Sequence, residues 1–363
     1  MENMSGSSTI EIEGHLIGKG QPCFIIAEIG VNHNGDPGLA KATIDAIRTT
    51  GVDCVKFQTF SADEFVSPNA ADYEYISQGI QVKESMRDMF KRLELDRSEL
   101  SKLFEFVREA NMVPLSTPAD RDAVDLLDEI GVMAYKVGSD DLIHIPLISY
   151  IASRGKPIIL STGMAYAEDI DRAIKAIELT GNESIALLHC VSQYPTPESD
   201  VNLAKIIELK KRYQRVVGFS DHSVGINASV GAVALGASII ERHVTLDHSL
   251  PGPDHRFSLD PDELIALVKS VREVEAMIGS SKLIPTEAER KMADECHRSI
   301  VAKVDLCSGD VINEENISYM RPGGGLPPYE INKVIGKVLR SNVPAGSYIN
   351  LDNLDSMTPD NSE

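Results

Sequence analysis

Eight short apolar runs recur along the chain with amphipathic segments between them, and this alternation limits the available folds more than any other feature. The runs span residues 24–30, 52–60, 113–118, 134–139, 157–163, 185–191, 216–221 and 238–245. Most neighbours begin 21 to 31 residues apart, the length of a strand, a helix and two loops. The intervening segments, such as 37–50, 96–110, 167–180 and 202–213, repeat apolar residues at helical spacing. Strands that alternate with helices pair in parallel, and eight such units predict closure into a (β/α)8 TIM barrel. One interval is longer: residues 61–84 form an insertion expected to fold over the barrel mouth as a lid.

The barrel domain is expected over residues 1–283, closed by a helix at 261–278. A charged helical linker follows at 284–297, with Pro285 and Thr286 as its start signal. Residues 298–355 change texture to a small β-rich domain with turns at Ser308-Gly309 and Pro344-Ala345-Gly346, and 356–363 read as a polar tail. The formal net charge of −20 disfavours nucleic acid as a partner, because phosphate backbones need basic surfaces. No stretch approaches the ~20 apolar residues of a membrane span. Residues 1–8 show no basic, apolar export signal, so a cytoplasmic location is expected. The five cysteines (Cys23, Cys54, Cys190, Cys296, Cys307) are scattered and form no CxxC pair, which predicts reduced thiols rather than a disulfide framework or a structural zinc site.

Barrel enzymes carry their chemistry at the C-terminal ends of strands. Here those ends are polar: Glu28, Lys56-Phe57-Gln58, Ser116-Thr117, Lys136-Val137-Gly138-Ser139-Asp140-Asp141, Ser161-Thr162, His189 to Tyr194, Ser220-Asp221-His222 and Glu241-Arg242-His243. Alternation puts Lys56 with Gln58, Ser220 with His222 and Glu241 with His243 on shared faces. Runs seven and eight are neighbours about 4.8 Å apart, so His222 and His243 can reach one ion. Two imidazoles with a carboxylate and water suit a divalent metal such as Mn²⁺, Fe²⁺, Co²⁺ or Zn²⁺. A single histidine at a strand end is most often a hydrogen-bonded structural residue, and His189, between Leu188 and Cys190, is read that way. A lysine inside an apolar strand is costly unless it meets an anion, so Lys56 and Lys136 predict a phosphate or carboxylate site. Lys136 and Ser139 have opposite parity and face the mouth together only if Gly138 breaks the pleat. Ser116, Ser161 and Thr162 are as readily explained by local hydrogen bonds as by ligand contact. Hydrolase-elbow, zinc-protease and dinucleotide signatures are absent from the sequence, and the Gly323-Gly324-Gly325 run reads as a plain turn.

Taken in order, the motifs AEIGVNHNG at Ala27, VKFQT at Val55, LSTP at Leu115, YKVGS at Tyr135, LSTGM at Leu160, LHC and YPTP from Leu188, GFSDHS at Gly218, ERHVTLD at Glu241 and GPDH at Gly252 resemble the sialic acid synthase family. That family includes N-acetylneuraminate, legionaminate and pseudaminate synthases. The segment starting at Arg298, RSIVAKVDLCSGDVI, resembles the family's antifreeze-like SAF domain. The resemblance implies a transferase that condenses phosphoenolpyruvate with N-acetylmannosamine or a related N-acylated amino sugar and releases phosphate. It implies a divalent metal, Mn²⁺ first and Mg²⁺ or Co²⁺ next, on His222 and His243. It further implies phosphoenolpyruvate contacts from Lys56, Thr117, Lys136, Ser139, Ser161, Ser192 and Ser220, and sugar contacts from Gln58, Tyr194 and Asp254. Glu28 matches a catalytic carboxylate. Arg321 matches an arginine that the C-terminal domain sends into the partner's barrel in a domain-swapped homodimer.

This chain departs from the family pattern at three places. Asp141 stands where Glu is usual, Ser192 where Asn is frequent, and Arg242 where Lys is common and is expected to face away from the mouth. Proton handling is expected from Glu28 or Asp141, with Lys56 neutralising developing charge. Two rivals predict different features. A 3-deoxy-octulosonate phosphate synthase-like enzyme needs a basic cluster for a second phosphate, and none is evident in the motifs. A non-catalytic carbohydrate-binding protein leaves Lys56, Lys136 and the histidine pair unexplained.

Overall fold

The computed structural model describes residues 9–355; the expected polar tail and the residues read for an export signal lie outside the described residues. The chain divides into two compact units, Met1–Gly279 and Ser280–Glu363. The first is an eight-stranded parallel barrel of TIM type, with strands β1 (Phe24–Gly30), β2 (Cys54–Thr59), β3 (Val113–Pro118), β4 (Tyr135–Val137), β5 (Ile158–Ser161), β6 (Ile185–Cys190), β7 (Val216–Asp221) and β8 (Ile239–His243). The strands pair in the order β3-β2-β1-β8-β7-β6-β5-β4, and the two end strands β3 and β4 lie side by side. The outer helices are α1 (Pro37–Ile47), α2 (Arg97–Glu109), α3 (Arg121–Glu129), α4 (Ile145–Ala152), α5 (Ala167–Glu178), α6 (Ala204–Tyr213), α7 (Asn227–Ala234) and α8 (Pro261–Ile278). Most strands are shorter than the apolar runs suggest, because the flanking residues turn out of the ladder into the loops that form the mouth.

Strand alternation sorts side chains into two cores. Ile25, Ala27, Ile29, Val55 and Phe57 point outward and pack under the helices. Phe24, Ile26, Cys54, Leu115, Ile159, Leu188 and Ile239 point inward and fill the barrel. An antiparallel hairpin (Thr9–Ile12 with His15–Gly18) precedes the barrel and adds Ile10, Ile12 and Ile17 to that interior cluster. The interior is therefore hydrocarbon at one end. Continuing the same inward parity toward the strand C-termini gives Glu28, Lys56, Thr117, Lys136, Ser161, Cys190, Ser220 and Glu241 in place of hydrocarbon.

The insertion after β2 is a compact subdomain: a one-turn helix Ala62–Phe65, a hairpin Asp72–Ser77/Ile80–Ser85 and a helix Met86–Leu93. It has a small apolar centre of Val31, Met89 and Leu93 with Phe60, Tyr75 and Phe90 packed against it. It is tied to the loop after β8, where Gln78 Nε2 donates to the Ser249 carbonyl at 2.8 Å and the Gly252 amide to Ser77 Oγ at 3.0 Å.

The second unit starts with a helix, Glu287–Cys296, capped by Thr286 and Glu289 as its sequence predicts. Its core gathers Ile300, Leu306, Ile312, Ile317, Val334, Leu339, Val343 and Ile349. It holds less ladder than its β-rich texture suggests. Among the described residues the regular pairing is one short antiparallel pair, Ser299–Ala302 with Ile317–Met320, supplemented by single bridges such as Leu306 with Val343. The five cysteines are free thiols. Among the described residues no helix is long and apolar enough to cross a membrane.

Gly218 marks the tightest strand crossing. A Cβ there would stand 2.5 Å from the Ile239 carbonyl oxygen and 2.6 Å from Leu188 Cδ2. Backbone on one side and packed core on the other leave no direction to yield. Gly218→Ala should cost about 1–3 kcal/mol by overpacking, read as a lower urea midpoint with an unchanged slope.

Candidate active site

Register assembles the site before any side chain is considered. His243 pairs with Glu28 across β8 and β1, and Glu28 pairs with Lys56 across β1 and β2. Ser220 pairs with Glu241 across β7 and β8, and Cys190 with Ser220 across β6 and β7. Every one of these residues has inward parity, so two rows of polar groups ring the C-terminal end of the barrel. They line a cavity of about 690 Å³ that also receives Gln58, Thr117, Lys136, Ser139, Asp141, Ser161, Ser192, Tyr194, His222 and Asp254. The barrel residues that the resemblance assigned to a site thus meet in one place. Arg321 belongs to the second unit, where it is exposed.

Two carboxylates and two ammoniums form the floor. Lys56 Nζ donates to Glu28 Oε1 at 2.7 Å and to Thr117 Oγ1 at 3.2 Å, and lies 3.6 Å from Glu241 Oε2. Gln58 Nε2 donates to the same Glu28 oxygen at 3.0 Å. Lys136 Nζ donates to Ser161 Oγ at 2.6 Å and to the Val137 carbonyl at 2.9 Å, and lies 3.8 Å from Glu241 Oε1. Ser220 Oγ donates to Glu241 Oε1 at 2.8 Å. Burial disfavours the charge on Lys56, but Glu241 and Glu28 more than offset it and raise its pKa. For Lys136 burial prevails over Glu241, and the neighbouring Lys56 adds to the depression. Lys136 is therefore the cation left short of negative charge. Burial alone would raise the Glu28 pKa, yet His243 and Lys56 hold its carboxyl well below the usual range.

Strand β4 ends at Val137, which frees Gly138 from the pleat, and both Lys136 and Ser139 face the cavity despite their opposite parity. Ser139 Oγ accepts from the Gly163 amide at 3.0 Å. A Cβ on Gly163 would meet Ser192 Oγ at 2.6 Å and Ser139 Oγ at 2.7 Å, so glycine there lets the two hydroxyls converge. Of the hydroxyls left open by sequence, Ser161 serves Lys136, Ser116 shares a 2.7 Å hydrogen bond with Thr59, and Thr162 donates to the Leu188 carbonyl at 3.0 Å. His189 bonds the Val201 carbonyl at 2.6 Å and stacks on Phe219 outside the barrel interior. Arg242 turns away from the mouth into a buried pair with Asp221 at 2.9 Å.

The His222 and His243 rings lie 5.4 Å apart between centroids, with Tyr194 packed on His222 at 4.3 Å. His222 Nδ1 faces the Val191 carbonyl at 2.9 Å; burial lowers its pKa, but Cys190 and this hydrogen bond more than offset that and raise it. His243 Nδ1 is buried without a hydrogen-bond partner, and so is Glu241 Oε2. Burial drives the His243 pKa down to about 4, with Glu28 opposing and His222 and Lys56 adding, so its imidazole is neutral. Glu28 Oε2 stands 3.4 Å from His243 Nε2, and Asp254 Oδ2 3.8 Å from its Nδ1. Two adjacent imidazoles, one of them neutral with an orphaned ring nitrogen, and the neighbouring carboxylates fit a divalent cation. A surface trio, His248, Asp260 and Glu263, brings its ligand atoms closer together, but Asp260 and Glu263 form the capping box that starts α8.

Two further carboxyls are poised near neutrality. Burial, reinforced by Asp140 and Asp120, raises Asp141 to about 7. Burial, reinforced by Glu28 and opposed by His222, raises Asp254 to about 7. Sequence reasoning assigned no role to Glu241 or Gly163, although the shared face of Glu241 and His243 was the available signal for the first.

A closed parallel barrel with buried lysines, carboxylates and paired imidazoles at its C-terminal rim has the architecture of a barrel enzyme. The NeuB family model matches residues 43–283 and the SAF domain model residues 297–355, and the chain belongs to the NeuB family. It is 38% identical over 343 residues to the N,N'-diacetyllegionaminic acid synthase of Legionella pneumophila, covering 93% of this chain and 96% of that one. It is 35% identical over 328 residues to the N-acetylneuraminate-9-phosphate synthase of Homo sapiens, covering 89% and 90%. The crystal structure of N-acetylneuraminic acid synthetase from Leptospira borgpetersenii, in complex with citrate, superposes with a TM-score of 0.72 at 35% identity, over 79% of this chain and 95% of that one.

Removing Lys56 leaves Glu28 and Glu241 buried together without their shared ammonium. Lys56→Met should cost about 3–5 kcal/mol in chemical unfolding at neutral pH, and the deficit should shrink in acid as the freed carboxyls take up protons. Asp141 makes the opposite pH signature. Its folded pKa of about 7 lies above its unfolded value, so wild-type stability falls as pH rises between the two and is constant above. The Asp141→Asn variant should lack that slope, so its advantage over wild type should grow from pH 4 to pH 8 in paired unfolding curves.

Proposed function

We propose that the protein is a nonulosonic acid synthase that condenses phosphoenolpyruvate with an N-acylated amino sugar and releases phosphate. The observation that carries this reading is the meeting of His222, His243, Lys56 and Lys136 at one rim of the barrel. Phosphoenolpyruvate brings a carboxylate and a phosphate, and the floor pairs its two ammoniums with two carboxylates of its own. An incoming anion therefore needs further positive charge, and the under-compensated Lys136 with Ser139, Ser161 and Ser192 is the natural seat for it. His222 and His243 would hold a divalent cation, Mn²⁺ by preference, which when bound supplies Lewis-acid polarisation of the sugar aldehyde.

In the condensation a bond forms between C3 of phosphoenolpyruvate and the aldehyde carbon. Water adds at C2, and the tetrahedral carbon then expels phosphate with cleavage of its C–O bond. Lys56, with Thr117 and Ser220 nearby, would hold the phosphate and neutralise charge as it departs. Asp141 and Asp254 titrate near neutrality and can exchange protons with water or hydroxyl groups, whereas Glu28 stays ionised and accepts from Lys56 and Gln58. Gln58, Tyr194 and Asp254 line the part of the cavity available to a sugar. A cytoplasmic homodimer, in which Arg321 of one subunit meets the acyl group in the other's barrel, is the assembly that the SAF domain suggests. The octulosonate-type alternative requires a second phosphate site, and the cavity offers no cations beyond Lys56 and Lys136 among the described residues.

Purified protein given phosphoenolpyruvate, Mn²⁺ and a panel of N-acetylmannosamine and 2,4-diacetamido-trideoxyhexoses should release phosphate only when a sugar is present. His222→Ala and His243→Ala should each lose bound metal and at least about 10²-fold in rate while keeping wild-type circular dichroism. Full turnover by either metal-stripped variant would refute the ligand assignment.

A further inference from the structure

Behind the paired imidazoles, on the outer face of β7 and β8, lies a buried polar cluster that the condensation does not use. Alternation turns Asp221 and Arg242 outward while His222 and His243 turn inward. Asp221 and Arg242 pair directly across the two strands, and their side chains, 0% and 1% exposed, meet at 2.9 Å. Arg242 Nη1 also donates to the Ser223 carbonyl at 2.8 Å. Asp221 Oδ1 accepts from the Ser223 amide at 2.8 Å and from the Ser223 hydroxyl at 2.6 Å. Its Oδ2 accepts from Ser229 Oγ on α7 at 2.6 Å. Both carboxylate oxygens are therefore satisfied within the fold, whereas Arg242 Nε and Nη2 are buried without a partner.

Packing does not account for this pair. The same outer face is otherwise hydrocarbon, with Val217 and Phe219 on β7 and Ile240 and Val244 on and just after β8. A buried ion pair is often no more stable than hydrocarbon of the same volume, and two orphaned donors make this one costlier still. What the pair does supply is geometry. Asp221 and Ser223 flank His222, and Arg242 precedes His243. The bonds from Asp221 to Ser223 close an Asx turn around His222. Arg242 then ties both ends of that turn to β8. His243 Nδ1 makes no hydrogen bond, so the place of that ring depends on the backbone that carries it and on the rings packed around it. We infer that Asp221 and Arg242, with Ser223 and Ser229, are positioning residues that hold His222 and His243 at the spacing one divalent cation requires. This inference rests on the ligand reading proposed above. Partners that orient metal ligands from behind commonly govern metal affinity by about 10- to 100-fold.

The test titrates Co²⁺ into metal-stripped full-length protein, reading affinity by calorimetry and ligand geometry by visible absorption. Arg242→Met and Asp221→Asn should each weaken Co²⁺ binding about tenfold or more and shift the absorption band. Ser229→Ala removes one hydroxyl, leaves the ion pair in place and should weaken binding about threefold. Arg242→Lys keeps the charge and can make both contacts without orphaned donors, so it should stay close to wild type. Leu103→Ala opens a cavity in the outer core under α2 and should lower stability without changing Co²⁺ affinity, which separates positioning from loss of stability. Suppose His222→Ala loses the ion while Arg242→Met binds it with wild-type affinity and absorption. The clamp is then overturned and the ligands stand. Where the ion-pair variants do not fold, wild-type binding by Ser229→Ala decides in the same way. A loss in Leu103→Ala equal to that in Arg242→Met, or an equal loss in Arg242→Lys, also overturns the clamp. Co²⁺ binding that survives both His222→Ala and His243→Ala overturns the ligand reading, and the clamp with it.

Discussion

The structure turns on the burial of Lys56 between Glu28 and Glu241. Removing one charge from water costs several kcal/mol even after relaxation, and the interior repays this only when geometry and hydrogen bonding are complete. Lys56 meets that condition, with Glu28 at 2.7 Å, Thr117 at 3.2 Å and Glu241 at 3.6 Å. Lys136 does not, since its direct partners are a hydroxyl and a carbonyl and its carboxylate lies 3.8 Å away. One ammonium is thus compensated by the fold itself, and the other is left short of negative charge. The difference follows from strand order: Lys56 sits on β2 beside β1 and near β8, which supply carboxylates, whereas Lys136 stands on β4 beside β5, which supplies a serine.

The same alternation that builds this floor also insulates it. Inward positions toward the strand N-termini are hydrocarbon and are joined by Ile10, Ile12 and Ile17 of the leading hairpin, while inward positions toward the C-termini are polar. The charged rows therefore rest on a dry apolar layer, where electrostatic interactions act over a low effective dielectric. A chain with a net charge of −20 in this way keeps two ammoniums buried beside two carboxylates at one rim of the barrel.

Much of this was legible from sequence, because strand parity is an arithmetic property of the chain. Lys56 with Gln58, Ser220 with His222 and Glu241 with His243 needed only the positions of the strands. Parity failed at Lys136 and Ser139, because the end of β4 at Val137 depends on how Gly138 packs and not on local pattern. Glu241 went unassigned because its task, bridging two lysines from non-adjacent strands, exists only once the barrel closes. Gly163 carried no signal at all, since a missing Cβ matters only when Ser139 and Ser192 are brought around it. In the C-terminal unit the β-rich texture was legible, yet chain reversals every few residues leave mostly single bridges beside one short antiparallel pair.

The charged floor of the cavity and its apolar side occupy different parts of the chain. The buried charged groups and the paired imidazoles lie on barrel strands and their immediate ends, where backbone ladders on both sides fix them. The apolar side, with Phe65 and Met86, comes from one insertion between β2 and α2, which has its own small core of Val31, Met89 and Leu93 and two hydrogen bonds to the loop after β8. A substitution at Phe65 or Met86 changes what the outer cavity touches without altering a strand register, so it cannot displace Lys56 or His243. A change at Glu28 or Glu241, by contrast, disturbs three neighbouring strands at once. The physical consequence is an asymmetry of tolerance, in which the insertion is free to vary while the floor is held by the cost of leaving any one of its charges alone.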